Sequence, residues 1–136
     1  MNGAAVAGLA GVWVVALALS VAVGAWLVPW VLRHTEKEPR IEAEAMAVLR
    51  GGTWIGVLER LAVTATILAG HPEGVAIVVA VKGLGRYPEL KEHPVASERF
   101  VVGTLASLVW AGVVGLVARA VVVLLATGRV PLDVVT

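Results

Sequence analysis

The chain has 136 residues, 59% of them hydrophobic, and a formal net charge of +1 at pH 7. Soluble domains are closer to half apolar, so this excess indicates segments that cross a lipid bilayer. The net charge carries little information, because it averages over the two sides of a membrane, but the lack of a basic stripe argues against a nucleic-acid partner. The absence of cysteine excludes disulfides, thiolate metal sites and palmitoylation.

Three long apolar blocks account for the hydrophobic excess. They cover residues 4–32, 54–81 and 100–127, and each exceeds the roughly 18–20 residues that cross a ~30 Å hydrocarbon core. The first block follows no Lys or Arg and is too long for a secretory signal, so we interpret it as a retained span. We expect a single bundle domain over residues 1–136.

The first helix is predicted over residues 4–32. Ser20 and Gly24 form a small-xxx-small pair there, which favours close packing of a second helix. The next segment is polar, and Thr35 and Glu38 have capping-box spacing ahead of apolar residues at helical spacing. This pattern predicts a short amphipathic helix over residues 39–50 on the membrane surface; a solvated connector is an equally good interpretation.

The central block can cross the bilayer once or twice. The sequence His71-Pro72-Glu73-Gly74 is typical of a turn, and a turn there divides the block into helices at 53–69 and 75–87. Two crossings place nine basic residues toward one side of the membrane: Arg33, Lys37, Arg40, Arg50, Arg60, Lys82, Arg86, Lys91 and Arg99. Only Arg119 and Arg129 lie toward the other side. This asymmetry follows the positive-inside rule and favours the double crossing.

These patterns predict an all-α, polytopic membrane bundle. Its four transmembrane helices cover residues 4–32, 53–69, 75–87 and 98–127, with a central hairpin and the interfacial helix at 39–50. Pro88 is expected to end the third helix, and Ser97 to cap the fourth. Both termini are then expected on the non-cytoplasmic side.

Charged residues within the apolar central block are the main clue to function. An unpaired charge at the bilayer centre costs about 2.5–3.5 kcal/mol on insertion scales. Lys82 and Arg86 share a helix face because they are four residues apart, and an antiparallel hairpin brings Glu59 and Arg60 to about their level. We therefore expect Glu59 to pair with Lys82 or Arg86 inside the bundle.

Two further charged residues lie near the ends of the fourth helix. Glu98 is on the same membrane side as Arg86 and Arg60 and is within reach of either. Arg119 lies near the opposite side, where it is expected to snorkel to the interface or to pair with Glu73.

Three motifs in this part of the chain resemble the C-terminal membrane region of bacterial DUF3307 proteins. They are Trp-Ile-Gly-Val-Leu-Glu-Arg-Leu at 54–61, Lys82-x-x-x-Arg86-Tyr87, and Ser-Glu-Arg-Phe-Val-Val-Gly-Thr-Leu-Ala-Ser at 97–107. The matching residues are Gly56, Glu59, Arg60, Lys82, Arg86, Tyr87, Glu98, Gly103, Thr104 and Ser107. Arg99 and Gly83 depart from the family pattern. The resemblance implies a bacterial inner-membrane protein centred on the charged residues of these motifs, and it implies no specific activity.

Two classes of function fit the set Glu59, Arg60, Lys82, Arg86 and Glu98. These residues could line a pathway for an ion or small anion in an oligomeric channel or transport-type protein, with Gly56, Tyr87, Gly103, Thr104 and Ser107 as packing or pathway residues. Alternatively, they form only an ion-pair lock in a structural or adaptor protein, which could also bind anionic lipid. A bundle of four short helices has little room for its own pore, so a channel requires several copies, and a homo-oligomer is expected.

An enzyme is the less favoured class. No phosphate-binding loop, Gly-x-Ser-x-Gly or His-Glu-x-x-His motif is present in the chain. His71 and Glu73 could contribute to a metal site, but the other histidines lie on the opposite membrane side. We therefore expect no metal and no cofactor.

Overall fold

The computed structural model describes residues 3–35 and 52–127, and these parts of the chain are all helical, with no strands. They contain four helices: α1 (Gly3–Thr35), α2 (Gly52–Leu68), α3 (Gly74–Glu92) and α4 (Pro94–Thr127). The all-α prediction is confirmed for these ranges. The predicted interfacial helix at 39–50 lies outside the described residues.

A tight turn joins α2 to α3 and makes them an antiparallel hairpin. Gly70 has a φ of +82°, a left-handed conformation that a side chain disfavours. Its amide donates to the Ile67 carbonyl at 3.0 Å, and the His71 amide donates to the Thr66 carbonyl at 2.8 Å. This is the Schellman pattern that satisfies the last carbonyls of a helix. The predicted turn at residues 71–74 is therefore present, and it begins with the helix cap at Gly70.

The junction between α3 and α4 differs from the prediction. Pro88 lies inside α3, which continues to Glu92, and α4 starts at Pro94 instead of near Ser97. His93 alone breaks the helix, with φ −132° and ψ 84°. Proline removes one backbone donor without preventing later residues from continuing the helix, and it is well suited to a first helical position, as at Pro94. The Ser97 amide donates to the His93 carbonyl at 3.0 Å, so Ser97 is already within the first turn.

Helices α2 and α4 each contact all the other helices of the bundle. Helix α4 contacts α1, α2 and α3, whereas α3 packs mainly on α2. On one side of α2, Val63 and Ile67 are buried together with Ala111, against Val75 and Val78 of α3. On the other side, Leu68 packs with Ala16 and Ala118, which join α1 to α4. Helix α2 thus contacts all three other helices.

Two of the helices are long and apolar enough to cross a membrane. The stretches are Gly3–His34 in α1 and Ala96–Thr127 in α4, each with a mean hydropathy of 2.4. Only 11% of the most apolar window of α1 and 17% of that of α4 are buried inside the molecule. The large apolar side chains of these helices therefore form much of the outer surface.

Candidate functional site

Helix α2 points two adjacent charged side chains in different directions. Consecutive residues of an α-helix are about 100° apart around its axis. Glu59 therefore faces α3, while Arg60 faces α1 and α4. Glu59 is 5% exposed and Arg60 is 4% exposed, so both are buried although neither is apolar.

Glu59 forms an ion pair with α3. Lys82 donates from Nζ to Oε2 of Glu59, and only 14% of the Lys82 side chain is exposed. The same ammonium lies 5.2 Å from the centre of the Phe100 ring, close enough for a cation–π contact. The expected pairing of Glu59 with the returning helix is thus present, and Lys82 is the partner. The contact fixes the register of α3 against α2.

Arg60 occupies the narrow space between α1, α2 and α4. A Cβ atom on Gly24 would lie 2.4 Å from Arg60 Cδ and 2.6 Å from Nε, so the guanidinium stem crosses α1 where it has no side chain. Arg60 Nη1 donates to the hydroxyl of Ser107 at 3.5 Å. Gly56, one turn earlier on α2, also lies beside the guanidinium, but a Cβ there would be 3.4 Å from Nη1, about an ordinary contact distance.

A short chain of hydroxyl groups lies one turn from Arg60. Ser20 donates to the backbone carbonyl of Arg60 at 3.3 Å. The hydroxyl of Thr64 lies 2.7 Å from Ser20 Oγ and 3.2 Å from the Ala111 carbonyl, and it has one proton for the two acceptors. These contacts join α1, α2 and α4 through polar atoms in a buried position. Such hydrogen bonds are a principal means of helix association where lipid removes the hydrophobic driving force.

Three buried polar atoms in this region have no hydrogen-bond partner among the described residues. They are Oε1 of Glu59, Nε of Arg60 and Oγ1 of Thr104. Thr104 lies one turn after Phe100 and one turn before Ser107, so α4 presents all three on the same face. We call Glu59, Arg60, Lys82, Thr104 and Ser107 the charged cluster. With one carboxylate and two cations, it carries a net single positive charge when all three groups are ionised.

The other residues singled out from the sequence lie at the edge of this cluster or outside it. Arg86 is half-buried one turn beyond Lys82, and Gly103 packs against Leu32 and Val28 of α1. Glu98 is exposed in the first turns of α4, and Tyr87 is 60% exposed. The structure therefore does not bring Glu98 or Tyr87 into the buried site. Both lie near the helix ends, where a polar side chain can face outward at little cost.

Arg119 contacts the end of α2 and not Glu73, the partner that the sequence suggests. Its Nη1 donates to the Leu68 carbonyl at 3.2 Å, and its guanidinium lies beside Gly70. A cation at a helix C-terminus complements the helix dipole and satisfies a free carbonyl. Glu73 instead contacts His71, with Nδ1 and Oε1 3.0 Å apart. A hydrogen bond to its own backbone amide, followed by the one from His71, lowers the pKa of Glu73 below its ordinary value.

Sequence reasoning missed the contribution of α1 to the site. Ser20 and Gly24 were interpreted as a packing pair, and they do lie at a close helix contact. However, Gly24 accommodates a charged side chain, and Ser20 belongs to the hydroxyl chain. The position of Thr64, one turn after Arg60, was the local signal that this face of α2 is polar. Phe100 was likewise missed, because a lone aromatic residue in an apolar helix carries no specific signal.

Comparisons with protein-family models, with curated proteins and with solved structures find no match to this chain. The resemblance to DUF3307 proteins therefore stays a prediction. Among residues 3–35 and 52–127, no group of three or more His, Asp or Glu side chains could hold a metal ion. The chemistry of the site is that of buried charges and hydroxyl groups.

The close contact between Gly24 and Arg60 predicts a specific cost for a side chain at this position. Gly24→Ala should lower the free energy of unfolding in detergent by about 1–3 kcal/mol, because Arg60 must move out of its position. Gly11→Ala is the control, since a Cβ there meets nothing within 4 Å. In an Arg60→Ala background the loss from Gly24→Ala should be smaller. Equal losses in both backgrounds would contradict the contact.

Proposed function

We propose that this chain is an integral membrane protein in which all four described helices cross the bilayer. The long apolar stretches of α1 and α4 are largely exposed, whereas the core helix of a soluble protein is mostly buried. Helices α2 and α3 also carry large exposed apolar side chains, such as Trp54, Leu58 and Ile77. Lipid is the solvent that matches such a surface, since a soluble monomer rarely exposes large apolar patches.

The lengths of the hairpin helices are compatible with this arrangement. Helix α2 has 17 residues and α3 has 19, which correspond to about 26 and 28 Å at 1.5 Å per residue. The extension of α3 to Glu92 makes it longer than the segment expected from the sequence. Among the described residues, most basic side chains then lie toward the end of the bundle that contains the junction between α3 and α4: Arg33, Arg60, Lys82, Arg86, Lys91 and Arg99. By the positive-inside rule this end faces the cytoplasm.

The double crossing predicts opposite locations for the two ends of α3. A reporter enzyme fused after Glu73 should report the non-cytoplasmic side, and one fused after Glu89 should report the cytoplasm. A pair of reporters that is active on opposite sides of the membrane, such as alkaline phosphatase and green fluorescent protein, gives complementary readings. Signals from the same side at both positions would exclude the hairpin as a membrane-crossing unit.

Within the membrane, we assign to the charged cluster the transport of a small anion. The observation that supports this assignment is the burial of Arg60, at 4% exposure, in a site whose ionised groups sum to a net positive charge. Intramembrane ionisable residues commonly mark ion pathways, and cationic side chains favour anions. The Glu59–Lys82 pair is already neutral, so the charge of Arg60 is the one that calls for an anionic guest.

The pathway itself requires more than one copy of the chain. A groove of about 600 Å³ lies between α1 and α4, but the residues that line it, such as Val12, Leu19 and Val117, are apolar. It offers no polar groups to replace the hydration shell of an ion. A homo-oligomer that brings several charged clusters around a common axis would provide a continuous polar route.

Reconstitution in liposomes tests the transport proposal. Purified protein should migrate as an oligomer in detergent and release trapped chloride or nitrate. Arg60→Gln should reduce the initial flux at least about tenfold, because the anion loses a charged donor that is worth more than 1.4 kcal/mol in a water-poor site. Arg33→Gln removes the same charge from an exposed position and should leave the flux unchanged. A monomeric wild-type protein that produces no flux would refute the proposal.

A second candidate function is a structural or adaptor protein in which the cluster acts only as a lock. The direct contact between Lys82 and Glu59, with the carboxylate side chain 3% exposed, is the observation in its favour. Removal of one partner leaves a buried unpaired charge, whereas removal of both does not. On this view the ion pair selects the register of the hairpin, and the resemblance to DUF3307 proteins concerns a shared scaffold.

A double-mutant cycle measures how strong the lock is. Glu59→Gln and Lys82→Gln should each lower the free energy of unfolding by about 3–5 kcal/mol, and the double variant should recover a large part of the loss. His71→Asn and Glu73→Gln form the control cycle, because their contact is exposed and should show no measurable coupling. Additive losses at Glu59 and Lys82 would contradict the direct pairing. If the double variant is stable and liposomes are silent with every protein, the lock is the better account.

A further inference from the structure

The three buried polar atoms without a partner among the described residues divide into two kinds. Nε of Arg60 can only donate a hydrogen bond, and the hydroxyl of Thr104 can donate one. Oε1 of Glu59 can only accept one while the carboxyl is ionised. A guest of a single chemical kind does not satisfy all of them, because an anion accepts hydrogen bonds and is repelled by a carboxylate.

The two donors suit a small anion. Charge-assisted hydrogen bonds from a guanidinium are roughly twice as strong as those between neutral groups, and the hydroxyl adds a second donor. The hydroxyls of Ser20 and Thr64 are committed to each other and to backbone carbonyls, and that of Ser107 accepts from Arg60, whereas the Thr104 hydroxyl has no partner among the described residues.

The acceptor suits a proton. Oε2 of Glu59 is held by Lys82, which leaves Oε1 as the atom that a proton from the aqueous phase can occupy. Protonation of that oxygen changes the net charge of the cluster from one positive charge to two. In a medium of low effective dielectric constant, the additional positive charge strengthens the attraction for an anion. By thermodynamic reciprocity, a bound anion also favours the proton on Glu59.

The charged groups that face Glu59 come from α2 and α3. Lys82 faces it from α3, with Arg86 one turn further on, and Arg60 is its neighbour on α2. Helix α4 contributes Phe100 and Thr104, which have no charge, while Arg99 and the exposed Glu98 lie toward its start. The nearest part of α1, at Ser20 and Gly24, carries no ionisable side chain.

We propose that the charged cluster takes up a small inorganic monovalent anion and a proton together. The anion binds at Nε of Arg60 and the hydroxyl of Thr104, and the proton binds at Oε1 of Glu59. This inference rests on the proposed function in that it takes an anion as the guest, and it adds the anion class, the binding atoms and the coupled ion. Arg60 lies about 12 Å along α2 from its first residue, so a free ion reaches the site more readily than a lipid headgroup does.

Anion binding to the purified full-length protein tests the proposal. The protein is kept in a neutral detergent free of anionic lipid, and chloride and nitrate are titrated by calorimetry at constant ionic strength with gluconate. The affinity should rise as the pH falls, by at most about tenfold per pH unit for one coupled proton. Addition of chloride to unbuffered wild-type protein should also draw protons from solution, with about one proton taken up per anion bound.

Matched variants assign the two roles. Glu59→Gln resembles the protonated carboxyl and should bind chloride with an affinity that no longer depends on pH. Glu98→Gln removes an exposed carboxylate and should keep the wild-type dependence. Thr104→Val, which retains Glu59 and Arg60, should weaken chloride binding at every pH and preserve the slope. It serves as a second test if Glu59→Gln does not fold.

Several results would overturn the inference. Two concern the wild-type protein: a chloride affinity that is the same at all pH values, and chloride binding without proton uptake. A third is a chloride affinity that still depends on pH in Glu59→Gln. The fourth is chloride binding that appears only after anionic lipid is added. The liposome flux assay tests the proposed function separately. Coupled binding without flux in liposomes contradicts transport and leaves the joint site standing, whereas flux with pH-independent binding contradicts the joint site and leaves transport standing.

Discussion

The architecture of this protein depends on the burial of two adjacent opposite charges in the middle of α2. Transfer of a charged side chain out of water costs several kcal/mol even after the surroundings relax, so each charge requires its own polar contacts. Because Glu59 and Arg60 point about 100° apart around the helix axis, no single neighbouring helix can serve both. The carboxylate is served by Lys82 of α3, and the guanidinium by α1 and α4. The position of α2 among the other three helices follows from this requirement.

Small and hydroxyl-bearing residues make the arrangement sterically possible. Helices in lipid do not gain free energy from hiding apolar surface from water, so close backbone approach and interhelical hydrogen bonds become more important. Gly24 and Gly56 leave space for the guanidinium, and Ser20 and Thr64 connect three helices one turn away. At the far end of the hairpin, Arg119 satisfies the Leu68 carbonyl from α4. Polar contacts thus hold α2 at both levels, while Val63, Ile67 and Leu68 fill the space between them.

Features of the fold that depend on neighbouring residues could be predicted from the sequence. The apolar blocks give the helices, the turn residues at 71–74 divide the central block, and the antiparallel register then brings Glu59 near Lys82. The boundary between α3 and α4 could not be predicted in the same way, because Pro88 and Pro94 carry the same local signal. Pro88 is tolerated within α3, whereas Pro94 starts α4. The choice is made by packing of the flanking turns, which no local pattern encodes.

The contacts of Arg60 were less predictable for a related reason. Its direction depends on the absence of a side chain at Gly24, a residue 36 positions earlier in another helix. A glycine in an apolar helix has the same appearance in the sequence whether it accommodates a backbone, a methyl group or a guanidinium. The exposure of Glu98 was equally hidden, since a carboxylate in the first turns of a helix can face the bundle or the solvent. Only the assembled bundle distinguishes these cases.

The exposure of Glu98 leaves Glu59 as the one carboxylate of the charged cluster. The set expected from the sequence, which includes Glu98 and Arg86, has two carboxylates and three basic residues, so its net charge is the same single positive charge. Within the charged cluster, Glu59 and Lys82 neutralise each other, so their ion pair does not require Arg60. An uncompensated guanidinium within the bundle adds a desolvation cost that a lock does not require. A lock therefore accounts for Lys82, and the buried guanidinium of Arg60 is the feature to which the proposed anionic guest applies.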